Sequence, residues 1–164
     1  MIWRIQPLES GLERSRLDCG DANLNAFIRQ YARQQQVRNY NRTYVALDGA
    51  GKQVIGYYSI SAGSIAFAEL RESDSLPKYP VPVVRIGRLA VDSSVQGKGL
   101  GQQLLAHALK LSVTLADQIG IHAVVVDAKP RCASQYYQRL GFIPCKDAPL
   151  TLYLPTATIK QGMA

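Results

Sequence analysis

The chain lacks the features that are typical of membrane proteins, secreted proteins and proteins stabilised by a structural metal. No apolar run in its 164 residues approaches the roughly 18 residues that a membrane-spanning helix needs. The N-terminus, Met1-Ile2-Trp3-Arg4, lacks the charged and then apolar pattern of a signal peptide. The three cysteines, Cys19, Cys132 and Cys145, form no C-x-x-C pair, which disfavours disulfides and structural zinc. We therefore expect one metal-free domain, residues 1–164, in a reducing cytoplasm.

Acidic residues are in short supply. The chain has 12 Asp and Glu against 19 Lys and Arg, a formal net charge of +7. An excess of this sign bears on partners rather than on fold, and it is typical of proteins that meet nucleic acid, anionic cofactors or acidic proteins. A basic protein without such a partner is the alternative.

The two commonest phosphate-binding motifs are absent. After the apolar run 83–91, three glycines, Gly97, Gly99 and Gly101, precede an amphipathic segment. No Lys-Ser or Lys-Thr follows them as in a P-loop, and their spacing is too short for the dinucleotide fingerprint. The remaining pattern, Q-x-x-G-x-G from Gln96, predicts a strand, a glycine loop and a helix whose N-terminus binds an anion. The alternative is a loop that merely separates strand from helix.

Helical periodicity occurs in three places. Asp21 is the predicted N-cap of a helix that runs to about Gln36, and its apolar face comprises Leu24, Phe27, Ile28, Tyr31 and Ala32. The helix after the glycine loop has apolar positions at Leu100, Leu104, Ala108, Leu111, Leu115 and Ile119, and Gly120 is expected to end it. A shorter helix is expected over 132–140, closed by Gly141.

Strands are expected between these helices, at 3–5, 43–47, 54–62, 83–91, 122–127, from Phe142, and at 151–154. The proline-containing segment 69–82 is predicted to be a loop or lid, and the tail from Pro155 to be loose. The apolar run 122–127 suits a strand that is buried on both faces. This order predicts a mixed sheet with helices packed on it.

Two motifs together resemble the GNAT superfamily of N-acetyltransferases. One is Q-x-x-G-x-G from Gln96, and the other is A-x-x-x-Y-x-x-x-G-F from Ala133 to Phe142. The resemblance implies an α+β fold: a twisted, mostly antiparallel mixed sheet of six to seven strands with a splayed central pair, flanked by about four helices. It also implies acetyl-CoA as the cofactor.

The resemblance assigns roles to particular residues. Tyr137 takes the position of the general acid for the departing CoA thiolate, and a phenol with a pKa of about 10 suits that role at neutral pH. Asp127 stands where many members carry an Asn that binds pantetheine. The implied cofactor-binding residues are Leu89, Ala90, Val91, Gln96, Gly97, Lys98, Gly99, Gly101, Gln102, Asp127, Ala133 and Tyr136, although Tyr136 is also a candidate core residue.

A narrower likeness involves the N-terminal half. The stretches L-D-C-G-D-A-N-L-N-A-F-I-R-Q-Y-A (17–32), R-T-Y-V-A (42–46) and G-R-L-A-V-D (87–92) resemble the GNAT toxins of bacterial toxin–antitoxin pairs. The resemblance implies acetylation of the α-amino group of an aminoacyl-tRNA, a block of translation, a ribbon-helix-helix antitoxin and a homodimer. An acetyltransferase for a small amine or a protein N-terminus, and a non-enzymatic binding module, are the alternatives.

Arginines and the absence of an evident general base bear on the substrate. Arg29, Arg33, Arg38 and Arg88 are candidate tRNA contacts, with solvation or antitoxin binding as the alternatives. His107 and His122 fall in a helix and in a buried strand, which favours packing over catalysis. An α-amine titrates at about 7.7–8.0, and esterification of its carboxyl lowers this further, so it needs less help from a base than a lysine amine does.

Overall fold

The computed structural model describes residues 3–49, 51–66, 70, 79–128 and 132–163. The chain divides into two compact units, Met1–Ser61 with Gly87–Ala108 and Ala62–Ile86 with Leu109–Ala164. No helix in the described part of the chain is long and apolar enough to cross a membrane. Most of the predicted loop 69–82, together with Lys129 and Arg131, lies outside the described residues.

The described residues form seven strands in one mixed sheet, in the order β1-β2-β3-β4-β5-β7-β6. The pairs β1–β2, β2–β3, β5–β7 and β6–β7 are antiparallel, and β4–β5 is parallel. This architecture confirms the predicted fold class. The strands are β1 Arg4–Pro7, β2 Arg42–Leu47, β3 Val54–Ile65, β4 Val81–Val91, β5 Ala123–Asp127, β6 Ile143–Pro144 and β7 Thr151–Pro155.

The helices follow the predicted order, with one addition at the C-terminus. The first helix region has three consecutive parts, the α-helix α1, a π-helical segment and the α-helix α2. Three further α-helices come later in the described residues. The bounds are α1 Ala22–Ala26, the π segment Phe27–Tyr31, α2 Ala32–Val37, α3 Leu100–Ala116, α4 Cys132–Arg139 and α5 Thr156–Met163.

The first unit is built around the N-terminal helix region and the strands beneath it. Asp21 is its N-cap, as predicted, since its carboxylate accepts from the backbone N–H groups of Asn23 and Leu24. Phe27, Ile28 and Ala32 are buried in a core with residues of β2 and β3. Tyr31, predicted to share that buried face, is 47% exposed. The prediction assumed α-helical spacing, whereas the π segment replaces i→i+4 hydrogen bonds with i→i+5 bonds at this point.

The second unit has its own apolar core around β5. Ala123 and Val125 pack with residues of β4 and β7, and four of the five β5 residues are buried. The parallel register runs from Val83 opposite Ala123 to Ile86 opposite Val126. A strand that is paired on both sides and covered on both faces needs apolar side chains throughout, as predicted. His122 is exposed and precedes β5, so its assignment to the buried strand was wrong.

Two further predictions, the end of α3 and the loose tail, are wrong. Helix α3 ends at Ala116, so Gly120 does not end it and Ile119 is 59% exposed beyond the last turn. The tail forms α5 instead of a loose segment. Thr156 donates its hydroxyl to the Ile121 carbonyl, Ile159 is buried, and Lys160 forms an ion pair with Asp117 at 2.9 Å.

Candidate active site

The glycine loop between β4 and α3 has the geometry that its sequence predicts. Gly97 and Gly99 have φ angles of +79° and +93°, and a Cβ added at either would meet no atom within 4 Å. The requirement for glycine is therefore conformational, because left-handed φ is costly for other residues. Residues 97–99 are exposed immediately before α3, and the N–H groups and dipole at a helix N-terminus favour an anion.

Side chains predicted to bind the anion differ in how available they are. Lys98 and Gln102 are exposed on this loop and first turn. The Gln96 side chain, in contrast, donates its amide to the carbonyls of Val91 (2.9 Å) and Cys19 (3.2 Å). Gln96 therefore fixes the start of the loop to the end of β4, and its amide donors already have partners.

A set of hydrogen bonds from the N-terminal region, called the bracket below, holds the loop, and no sequence pattern predicts it. The backbone N–H and the hydroxyl of Ser93 both donate to the Asp18 carbonyl at 2.8 Å, and the Asp92 carboxylate accepts from the Asp18 N–H at 2.9 Å. Asn25 completes the bracket, because its amide donates to the Asp18 carboxylate and accepts from the Cys19 N–H, both at 2.9 Å. Much of the D-C-G-D-A-N-L-N signature therefore supports the loop.

The bracket lowers the pKa of both carboxylates. Asp18 has its pKa lowered chiefly by the hydrogen bond from the Asn25 side chain and then by the Gly20 N–H. For Asp92, desolvation raises the pKa, but the hydrogen bonds from Ser94 and from the Asp18 N–H together outweigh it, so the net direction is down. Both groups therefore stay ionised where the loop needs acceptors.

Residues Leu89, Ala90 and Val91 form the end of β4, next to the loop. Ala90 is buried in the core of the first unit, whereas Leu89 and Val91 are partly exposed. The Asp92 N–H that follows donates to the Ile55 carbonyl at 2.8 Å. This hydrogen bond sets the point at which the chain leaves the sheet and enters the loop.

In the second unit, the Y-x-x-x-G-F motif forms a Schellman C-cap on α4. Gly141 has a φ of +100°, its N–H donates to the Gln138 carbonyl (3.0 Å), and the Phe142 N–H donates to the Tyr137 carbonyl (3.1 Å). The apolar contact that accompanies this cap is between the rings of Tyr137 and Phe142, whose centroids lie 5.4 Å apart. The spacing of Tyr137, Gly141 and Phe142 is therefore that of a Schellman-capped helix end, and the cap holds the Tyr137 ring in place.

The surroundings of the Tyr137 phenol favour its protonated form. Burial raises its pKa, and the neighbouring Tyr136 adds to the effect. The two rings meet edge to face with centroids 5.4 Å apart, so Tyr136 packs against Tyr137 without being buried in the core. Ala133 lies one turn earlier on the same helix and is partly buried.

Asp127, at the end of β5, is an ion-pair partner. Its carboxylate accepts from the Arg85 guanidinium at 2.9 Å and from the Thr151 hydroxyl at 2.8 Å. An Asn at this position would lose the charge that pairs with Arg85. The aspartate is therefore explained by its neighbours on β4 and β7.

The candidate tRNA-binding arginines fall into two groups. Arg29 donates through two of its nitrogens to the Leu17 carbonyl, at 3.1 and 2.6 Å, and so helps to hold the signature segment. Arg33 and Arg38 are exposed.

Arg14, which sequence reasoning passed over, donates to the Ile28 carbonyl at 2.9 Å. This is the carbonyl bypassed by the π segment, in which the Ala32 N–H bonds to Phe27 instead.

Arg88 on β4 lies over the ring of Phe27. Its guanidinium carbon is 3.8 Å from the ring centroid, and one nitrogen donates to the Ser59 hydroxyl at 3.4 Å. The Phe27 ring in turn stacks on Tyr57 at 5.8 Å. His107 is engaged elsewhere, since its Nδ1 lies 2.6 Å from the Tyr58 hydroxyl, which agrees with the predicted packing role.

The fold and these two motifs define a GNAT acetyltransferase, and the chain belongs to that family. The model of the acetyltransferase (GNAT) domain matches residues 39–144. The probable toxin TacT of Sinorhizobium fredii is 32% identical over 170 residues, covering 97% of this chain and 94% of that protein. The tRNA-acetylating toxin of Mycobacterium tuberculosis is 36% identical over 138 residues, covering 82% of this chain and 81% of that protein.

Solved structures of toxins are similar over nearly the whole chain. AtaT complexed with acetyl-methionyl-tRNAfMet has a TM-score of 0.91 and 30% identity, and the match covers 99% of this chain and 100% of that one. A Tyr-to-Phe mutant of AtaT, bound to the C-terminus of the antitoxin AtaR and acetyl-CoA, has a TM-score of 0.84 and 30% identity, with coverage of 99% and 98%.

Proposed function

We propose that this protein is the acetyltransferase toxin of a toxin–antitoxin pair, and that it transfers acetyl from acetyl-CoA to the α-amino group of an aminoacyl-tRNA, blocking translation. The assignment of the substrate rests on how much of the chain resembles the toxins. The general domain match begins at residue 39, after α2, whereas the match to TacT covers 97% of the chain. The likeness to a toxin thus extends over the N-terminal helix region, which lies outside the general domain match.

The residues present fit acetyl-CoA. An exposed loop before α3, with Gly97 and Gly99 at left-handed φ and no atom near their Cα hydrogens, suits a pyrophosphate bound by backbone N–H groups. Lys98 and Gln102 add exposed donors. We assign the pantetheine contact to the backbone of Leu89, Ala90 and Val91. The remaining proposed contacts are Gln96, Gly97, Gly99, Gly101, Asp127, Ala133 and Tyr136.

Acetyl-CoA, when bound, supplies an acetyl group on a thioester. The reaction would join the substrate nitrogen to the acetyl carbon and break the bond from that carbon to sulfur, so that the sulfur would depart as a thiolate. Tyr137 holds a proton on its phenol oxygen and gives it to that sulfur, because burial raises the pKa of the phenol and keeps it protonated. The amine releases its own proton to solvent, and the Tyr137 phenol regains a proton from solvent.

The substrate amine needs no strong base. An α-amine next to an ester titrates below about 7.7–8.0, so much of it is neutral near pH 7. Among the arginines, we assign Arg33, Arg38 and Arg88 to tRNA phosphates, with Arg29 at the edge of the same region. Such contacts give affinity that falls as the salt concentration rises.

We also infer a ribbon-helix-helix antitoxin, a homodimer and action in the cytoplasm. A neighbouring structure is AtaT with the C-terminus of its antitoxin, and another is a KacTA–DNA complex, which supports an antitoxin that binds DNA. Aminoacyl-tRNA is used in the cytoplasm, so a toxin that acetylates it acts there.

The test is transfer of radiolabelled acetyl from acetyl-CoA to a mixture of charged tRNAs, with uncharged tRNA, a polyamine and a peptide as parallel acceptors. We expect label on the charged tRNA that is lost with the aminoacyl group on mild alkaline hydrolysis. Label on the polyamine or the peptide alone would overturn the assignment. Growth arrest on expression, relieved by the adjacent gene, is the expected cellular counterpart.

A further inference from the structure

We propose that the outer face of α2 and the turn after it form a docking surface for single-stranded RNA, on which Tyr31 and Tyr40 stack bases and Arg33 and Arg38 contact phosphates. We call these four residues the Tyr–Arg face. The inference rests on the proposed function, since a charged tRNA presents a single-stranded 3′ end. It adds base stacking by two tyrosines to the phosphate contacts assigned above.

The charge of this region is of one sign. Residues 22–47 contain no Asp or Glu, and their charged residues are Arg29, Arg33, Arg38 and Arg42. Lysine is also absent from the segment. Arginine differs from lysine in having a planar group that binds phosphate through two donors and stacks on rings. The segment therefore has the charge and the geometry for a nucleic-acid backbone.

Exposed aromatic rings accompany that charge. Tyr31 is 47% and Tyr40 62% exposed, and Arg33, Gln34 and Arg38 between them are exposed as well. Tyr31, Gln34 and Arg38 are three and four residues apart, which places these three side chains on neighbouring rows of the helix surface. Rings and guanidinium groups are thus interleaved on the solvent side, the arrangement typical of single-stranded nucleic-acid sites.

The turn that carries Tyr40 is closed by two backbone hydrogen bonds. Asn39 has a φ of +59°, its N–H donates to Gln36, and the Tyr40 N–H donates to Gln35, each at 3.0 Å. This is the same Schellman cap that ends α4. There the residue after the cap, Phe142, is buried against a ring; here it is Tyr40, and its ring is exposed. The backbone fixes Tyr40 in place while leaving its ring available.

The base of the face is fixed and remains positively charged. Arg14 donates to the Ile28 carbonyl beneath the π segment, so the backbone that leads to Tyr31 is tied down. Burial lowers the pKa of Arg14, and the nearby Arg33 lowers it further through charge repulsion.

The side chains favour RNA over an apolar peptide helix. A helix that docks by its apolar face needs a hydrophobic groove with anchor pockets. Within residues 22–47, the large hydrophobic side chains that are well exposed are Tyr31, Val37 and Tyr40, and two of these three are aromatic rings. Stacked bases use rings and guanidinium planes without needing a pocket.

The experiment measures binding of a fluorescein-labelled single-stranded RNA ending in CCA-3′ to the full chain. The stacking variant is Tyr31→Leu with Tyr40→Leu, and the charge variant is Arg33→Gln with Arg38→Gln. Tyr79→Leu is the matched control, since Tyr79 is 55% exposed in the other unit. We expect the stacking variant to lose about tenfold or more in affinity, and Tyr→Phe at both sites to restore it.

Salt dependence separates the two roles. The charge variant is expected to flatten the slope of log affinity against log salt by about 0.7 for each phosphate that the protein no longer neutralises, while the stacking variant leaves the slope unchanged. Unchanged RNA affinity in the stacking variant, an equal loss in Tyr79→Leu, or a loss of antitoxin binding alone would overturn the proposal. Acetyl transfer is measured separately. If the wild-type enzyme acetylates charged tRNA and the stacking variant has the same KM, the proposed function is supported and only the docking surface is contradicted.

Discussion

The guanidinium carbon of Arg88 lies 3.8 Å from the centroid of the Phe27 ring. Phe27 belongs to the N-terminal helix region, and Arg88 belongs to the strand that leads to the glycine loop. Phe27 also stacks on Tyr57, whose hydroxyl donates to the Leu24 carbonyl at 2.8 Å. The cation is therefore held at a fixed orientation by a stack that belongs to the core of the first unit.

We expect Arg88→Lys to bind deacylated tRNA about five- to tenfold more weakly, although the charge is kept. A lysine cannot reproduce the planar stack or a bidentate phosphate contact. Arg88→Gln should lose more and should also flatten the salt dependence of binding. Binding isotherms at several salt concentrations check this. Arg4→Gln, an exposed arginine on β1, is the control; wild-type affinity in Arg88→Lys would show that the planar group is not used.

Tyr137→Phe is expected to lower kcat for acetyl transfer by about 100-fold or more, the usual range for a lost general acid. Its stability should change little, because the ring contact with Phe142 at 5.4 Å needs no hydroxyl. Single-turnover acetyl transfer and thermal unfolding, measured on the same preparation, check both parts. Tyr79→Phe, at an exposed tyrosine before β4, is the control, and an equal loss of activity there would contradict a specific donor role for Tyr137.

The pH dependence of the reaction follows from the raised pKa of Tyr137. The donor must be protonated, so activity from this group is fully present at neutral pH and is lost only as the pH rises through a value above the ordinary pKa of about 10. The substrate amine must be neutral, which gives an acid limb below about pH 7–8. A profile of kcat/KM from pH 6 to 9, taken from initial rates because the aminoacyl ester hydrolyses in alkali, should rise and then stay level. A fall beginning near pH 8 would contradict the assignment.

Gly141→Ala is expected to destabilise the protein by about 1–2 kcal/mol, because alanine is strained at a φ of +100°. Activity should fall as well, since the cap sets the position of Tyr137. Denaturant unfolding and acetyl transfer check the two effects. Gly162→Ala is the control, because Gly162 lies within α5 in open space, so alanine should be neutral or slightly stabilising there. Equal effects at the two glycines would contradict the role of the cap.

Asn25→Leu should cost about 1–2 kcal/mol at pH 7, because it leaves the Cys19 N–H without its acceptor and removes the donor to Asp18. The pKa of Asp18 is lowered in the folded protein, so its stabilising effect is present above its ordinary pKa and is lost as the pH falls through the folded value. Unfolding between pH 6 and 3 should therefore show a smaller loss of stability in Asn25→Leu than in the wild type. Parallel pH curves would contradict the link.

Local patterns in the sequence determined those parts of the protein that depend on short-range backbone hydrogen bonds. The Asp21 N-cap, the left-handed glycines of the loop and the spacing of Tyr137, Gly141 and Phe142 each involve residues within five positions of one another. The elements and their order follow from the same kind of pattern, because the period of the apolar residues depends on the local backbone.

The tertiary structure alone decided which distant residues meet. Asp18 and Asp92 are separated by 74 positions, and the tail helix is held by the Ile121 carbonyl and by Asp117. These partners are brought together by the sheet and the helices on it, and their identities carry no periodic signal. The exposure of Tyr31 was also hidden, since a π segment changes which residues face the core without changing the composition. The loop and its capped tyrosine could thus be predicted, whereas the bracket that supports the loop could not.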